Sequence, residues 1–181
     1  MLTPPLALKL NLSAPDWNTV PQVNVVGEAY FADDDSVILP TSVGSLQVSF
    51  HSCGLRLRIA GTSNTHYEML LQEPATLTCG LSHSEQGTTV TCDDYKLSIQ
   101  HTPFSFALIY DGESVQKTPN DGHFVRQFRV PPLAKTAQGW LFSLDLDAEE
   151  AVYGLGEKWS SLNKRGQFIR SYNHDALGVN A

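Results

Sequence analysis

The sequence predicts an all-β protein, an antiparallel β-sandwich, on three observations. Apolar and polar residues alternate with period two in run after run, the pattern of a half-buried strand. No stretch before residue 148 keeps a helical period of 3.6 over three turns. Ten prolines and thirteen glycines are scattered along the chain, and turn signals recur at a spacing of roughly ten residues, which suits hairpin-linked strands better than strand–helix–strand units.

The elements follow in order. Gly54-Leu55-Arg56-Leu57-Arg58-Ile59 sets Leu55, Leu57 and Ile59 on one face and both arginines on the other. Thr88–Thr91 and Tyr95–Gln100 flank Asp93-Asp94 and read as a hairpin. Phe104–Tyr110 is apolar and aromatic throughout, which predicts an inner strand covered on both faces. His123–Val130 and Trp140–Asp147 repeat the alternation, the second with Trp140, Phe142, Leu144 and Leu146 on one side. Asp33-Asp34-Asp35, Asp111-Gly112, Asn120-Asp121-Gly122 and Val130-Pro131-Pro132 punctuate these runs as turns. The expected organisation is a sandwich body over residues 1–150 and a closing stretch over 151–181.

Composition excludes several classes. A length of 181 residues with 41% hydrophobic composition is enough to bury the core of one domain. The formal net charge of −7 argues against a nucleic-acid partner. The acidic excess lies in residues 1–150, whereas 151–181 holds four basic residues against Glu157 and Asp175. No apolar run approaches the length of a membrane span, and Met1–Pro15 lacks the pattern of a signal peptide. Cys53, Cys79 and Cys92 are odd in number and form no Cys-x-x-Cys motif, which reads as reduced, buried thiols in a cytoplasmic protein.

Chemistry concentrates in the closing stretch. Val152-Tyr153-Gly154-Leu155-Gly156-Glu157-Lys158-Trp159 is followed by Leu162-Asn163-Lys164-Arg165-Gly166 and by Asn173-His174-Asp175-Ala176-Leu177-Gly178. Aromatics, glycines and charges without a core-forming run suit a presented loop. The paired glycines are not a dinucleotide loop, because Trp159 stands at the third glycine position and no strand–helix–strand unit surrounds it; they read as a tight turn. Asp175 reads equally as an acceptor for adjacent sugar hydroxyls and as the closer of an Asx turn. Trp159 and Tyr172 offer aromatic faces suited to the apolar side of a pyranose. Lys164, Arg165 and Arg170 fit either a solvated face or a surface opposite an acidic cleft. The six histidines, among them His51, His66, His83 and His101, show no metal-ligand spacing, and no metal or cofactor is expected.

The three-part pattern Tyr-Gly-Leu-Gly-Glu, Leu-x-x-x-Gly and Asn-x-Asp-Ala-x-Gly resembles the signature that leads out of the N-terminal β-domain of the family-thirty-one glycoside hydrolases, the retaining α-glucosidases and α-xylosidases. The resemblance implies a galactose-mutarotase-like supersandwich that packs on a catalytic barrel. It implies an α-linked glucoside or xyloside as substrate, with Asp175 and Trp159 on a loop at the sugar. The two catalytic carboxylates would lie in the barrel beyond Ala181, so no catalytic residue is expected in this chain and the chain alone is expected to be inactive. An independent carbohydrate-binding module is the alternative, favoured by an exposed aromatic platform on the sandwich itself. A free-standing aldose epimerase is a third reading and requires a buried histidine–carboxylate pair, with Glu68, Glu73 and Glu85 as the acids near His66 and His83.

Overall fold

The computed structural model describes residues 20–33, 36–52, 54–59, 75–119, 123–125, 128–137, 139–155, 160–167 and 169. They fall in two compact units, one within Ala14–Asp145 and one from Leu146 onward. Every regular element among them is a strand, and every paired strand is antiparallel. The expectation of an all-β, antiparallel sandwich is met. No helix among the described residues is long and apolar enough to cross a membrane.

Four strands form the first sheet in sequence order: β1 (Tyr30–Asp33), β2 (Ser36–Thr41), β3 (Gly44–His51) and β4 (Gly54–Ile59). Five form the second, again in sequence order: β5 (Gly80–His83), β6 (Gly87–Cys92), β7 (Tyr95–Gln100), β8 (Ser105–Tyr110) and β9 (Glu113–Lys117). Two hairpins follow, β10 (His123–Val125) with β11 (Phe128–Val130) and β12 (Leu133–Thr136) with β13 (Gly139–Phe142).

Register turns the alternation into a core. Leu39, Leu46 and Ile59 lie in one cross-strand row of the first sheet, and Val37, Val48 and Leu57 in the next. The second sheet answers with Leu81, Val90, Leu97 and Leu108, and with Ile99 beside Phe106. These residues, with Val23, Phe50, Phe104 and Leu133, form one apolar cluster that joins the two sheets. Because side chains alternate strictly across a strand, a one-residue slip would carry each row to the solvent face, so the cluster pins the register. The Asp111-Gly112 turn links Tyr110 to Glu113 with both residues at positive φ, 48° and 81°, the backbone that a two-residue hairpin loop needs to match the strand twist.

Three expectations require correction. β8 is buried only at its start, at Ser105 and Phe106; Ala107, Leu108 and Ile109 are half-buried and Tyr110 is exposed, so its outer half is not covered on both faces. The run His123–Val130 is not one strand but folds back on itself, pairing Val125 with Phe128. Cys79 and Cys92 are not thiols: they form a disulfide with a Cα–Cα distance of 4.5 Å. The β5–β6 register sets Gly80 opposite Thr91 and so brings the flanking cysteines face to face, a cross-strand relation that no spacing motif encodes. Cys53 lies outside the described residues.

The bond closes a loop whose ends are 13 residues apart, for which restriction of the unfolded chain contributes about 2–3 kcal/mol. Urea unfolding with and without a reductant should therefore show a lower midpoint in the reductant, and Cys92→Ser should reproduce that midpoint under oxidising conditions. Identical midpoints in all three would show that the pair is not bonded in solution.

Candidate functional site in the closing loop

Residues 147–155 and 160–167 are held by polar contacts rather than by a core. The Asn163 side-chain carbonyl oxygen accepts from the backbone N–H groups of Val152 (3.1 Å) and Arg165 (3.0 Å). The Lys164 N–H donates to the Val152 carbonyl at 2.6 Å. The Lys164 side chain turns inward and is only 7% exposed; its ammonium donates to Ser160 Oγ and to the Ser161 carbonyl, both at 2.7 Å. Arg165 Nη1 donates to the carbonyls of Asp147 and Glu150, each at 2.6 Å. The Gln167 amide donates to Ser161 Oγ and, at 2.8 Å, to the Asn163 carbonyl. Charged donors make the stronger class of hydrogen bond, so this frame is stiff although it has little apolar surface to bury.

Of the two sequence alternatives, the solvated face fails for Lys164, which is buried, and holds for Arg165, which is exposed. Both cations satisfy backbone carbonyls of their own loop, which alternation and charge counting cannot reveal. Arg170 lies outside the described residues.

The frame presents the start of the signature. Tyr153, Leu155 and Leu162 are exposed. Gly154 has φ 93° and Leu155 φ 64°, so the expected tight turn is present up to Leu155. A leucine in the left-handed region costs on the order of 1 kcal/mol or more and persists only where its surroundings over-determine it. Trp159 and Asp175, the two expected substrate-binding residues, lie outside the described residues, as does Tyr172.

On the sandwich, a second polar feature lies across the outer face of the five-stranded sheet. Thr89, Ser98 and Ala107 form one cross-strand row there, and Gly87, Gln100 and Ser105 the next. They border a groove of about 330 Å³ with no charged side chain in its lining. Ser105 Oγ donates to Gln100 Oε1 at 3.0 Å. A Cβ at Gly87 would sit 2.5 Å from the Ile99 carbonyl oxygen, so only glycine fits this floor.

The histidines with described side chains, His51, His83 and His101, have hydroxyl partners. Thr88 is buried in the apolar row of Ile99 and Phe106, and its hydroxyl meets His101 Nε2 at 2.8 Å and His83 Nδ1 at 3.5 Å. The partner of this pair is a hydroxyl, not the carboxylate that an epimerase requires. His66, Glu68 and Glu73 lie outside the described residues. His51 Nε2 meets Ser49 Oγ at 3.2 Å. No group of three or more metal-binding side chains occurs among the described residues.

Burial, and then the neighbouring His83, hold the His101 pKa below its ordinary value of 6.5. The folded state thus binds fewer protons here than the unfolded state does. Stability should fall as pH drops from 6.5 towards the lower folded value and level off below it. His101→Gln, which keeps a polar partner for Thr88, should flatten that part of a plot of urea midpoint against pH; an unchanged slope would assign the acid sensitivity to other groups.

The comparisons with known proteins agree with this architecture. The solved structure of a cycloalternan-forming enzyme from Listeria monocytogenes, in complex with a pentasaccharide substrate, superposes with a TM-score of 0.57 at 18% identity. An uncharacterised protein from Listeria monocytogenes EGD-e superposes with a TM-score of 0.56, also at 18% identity. Both cover 85% of this chain, which spans only 15% of theirs, and at that identity they establish the fold alone. No curated protein matches this chain. Residues 45–181 match the family described as the glycosyl hydrolase 31 N-terminal galactose mutarotase-like domain, a span that takes in β3 and β4 of the first sheet, the whole second sheet and the closing loop. This chain belongs to that family.

Proposed function

We propose that the chain is the non-catalytic N-terminal sandwich of a retaining α-glycosidase, an α-glucosidase or α-xylosidase, whose catalytic barrel belongs to the same longer polypeptide. The observation that carries this reading is the family match over residues 45–181. In such a parent, two carboxylates of the barrel act as nucleophile and acid/base through a glycosyl-enzyme intermediate. The sandwich packs on the barrel and lends one wall of the substrate pocket through its closing loop. The polar frame around Asn163, Lys164 and Arg165 supports that role, because a presented loop must be held in place to position a substrate. On this proposal Asp175 accepts hydrogen bonds from a sugar hydroxyl and Trp159 packs on the ring.

A second reading, an independent carbohydrate-binding module, gains from two features. Trp140 and Phe142 are exposed on the sandwich, and the uncharged groove beside Gln100 and Ser98 offers hydroxyl and amide groups. Binding of an α-glucan oligosaccharide by this chain alone, abolished by Trp140→Ala or by Ser98→Arg, would decide for it. A cytoplasmic location remains part of the proposal, although the Cys79–Cys92 bond removes the reading of those cysteines as thiols on which it rested.

The test of the first reading uses the full-length parent. Asp175→Ala should lower kcat/KM on its α-glycoside by about 1.5–3 kcal/mol, or roughly ten- to a hundred-and-fifty-fold, with little change in melting temperature. Asp175→Asn separates the two roles, since the amide retains an Asx-turn bond but loses the charge. Wild-type kinetics in the Asn variant would make Asp175 a turn residue and remove it from the pocket.

A further inference from the structure

The alternating residues Trp140, Phe142 and Leu144, which the sequence pattern would place in a core, are 39%, 47% and 44% exposed. Their exposure is not scattered. Phe142 lays one ring face on Phe106, with centroids 5.9 Å apart, and leaves the other open. Beside it, a gap of about 230 Å³ runs between Trp140 and Phe142 on one side and Leu57 and Ile59 of β4 on the other, floored by Phe104 and Leu133. All of these side chains are apolar. The Lys135 ammonium, 5.4 Å from the centre of the Trp140 ring, is the charged group in contact with it.

Exposed apolar surface of this continuity marks a docking site. Resting on the functional reading above, we infer that this face and gap are the seam on which the remainder of the parent polypeptide docks, seating apolar side chains between β4 and β13. Two observations choose that occupant. The gap has no polar lining to satisfy sugar hydroxyls, and stripping those hydroxyls of water without partners is costly, so a carbohydrate is a poor fit. The chain also spans only 15% of the solved chains it superposes on. Most of a polypeptide of that kind lies outside this sandwich, and a covalently attached partner is present at high effective concentration. A gap lined by apolar side chains, with Lys135 at its Trp140 edge, resembles a permanent interface rather than a transient one.

The experiment compares this chain with the full-length parent, using a dye that fluoresces on exposed apolar surface. This chain should bind the dye, and the parent should bind several-fold less per mole. Leu144→Lys should lower dye binding by this chain while leaving its melting temperature nearly unchanged. The same substitution in the parent should lower the melting temperature and raise dye binding. Phe142→Lys should act in the same direction, and Leu144→Lys keeps the test valid if loss of the Phe106 stack unfolds the chain. Equal dye binding by chain and parent, or a Leu144→Lys variant that is neutral in the parent, overturns the inference. So does a dimer of this chain that Leu144→Lys dissolves while the parent still binds dye, because the occupant is then a second copy. A parent that closes the face yet hydrolyses no α-glycoside refutes the functional reading and leaves the seam standing.

Discussion

The sandwich depends on a short stretch that belongs to neither sheet, Gln22–Val26. The Val23 N–H donates to the Leu133 carbonyl and the Val25 N–H to that of His101, while the Phe104 N–H donates back to Val23. On the other side, Val26 donates to Pro40 of β2, and Ser42 donates to Asn24. One extended segment therefore ties the first sheet, the turn after β7 and the β12–β13 hairpin into a single body. Its side chains Val23 and Val25 enter the core at the same time. A buried backbone donor without a partner costs about as much as a hydrogen bond, so this segment, the turn and the hairpin order one another.

The closing loop is stabilised by different means. It has few apolar groups to bury, and it gains order by aiming an ammonium and a guanidinium at its own carbonyls. Lys164 has given up most of its hydration in exchange for two close oxygen partners. Such a buried cation is tolerable only with good geometry. The outcome is a stiff frame whose exposed members, Tyr153 and Leu155, are free to meet something else. A family signature of that kind is thus partly scaffold and partly presentation, and its two described cations, Lys164 and Arg165, belong to the scaffold.

The same economy explains where the sandwich is open. A β-strand with one apolar face requires an opposing layer, and the face of Trp140, Phe142 and Leu144 has received only part of one, the ring of Phe106. The chain has followed the pattern for burial at these positions without supplying all the surface to bury against. Among the described residues an uncovered apolar face therefore lies at the seam between β4 and β13, apart from the polar outer face of the five-stranded sheet.

The sequence by itself determined the all-β class, because alternation with period two is local and survives whatever the chain packs against. It also determined the β6–β7 hairpin around Asp93-Asp94, the two-faced strand Gly54–Ile59 and the family signature, each written in consecutive residues. The tertiary structure decided what depends on residues far apart. The pairing of Cys79 with Cys92 follows from the register of β5 on β6, not from a motif. The inward turn of Lys164, and the hold of the exposed Arg165 on Asp147 and Glu150, follow from carbonyls that lie within reach once the loop closes. The exposure of Trp140 and Phe142 follows from which layer stands opposite them, and periodicity tells that a face is apolar without telling what, if anything, covers it.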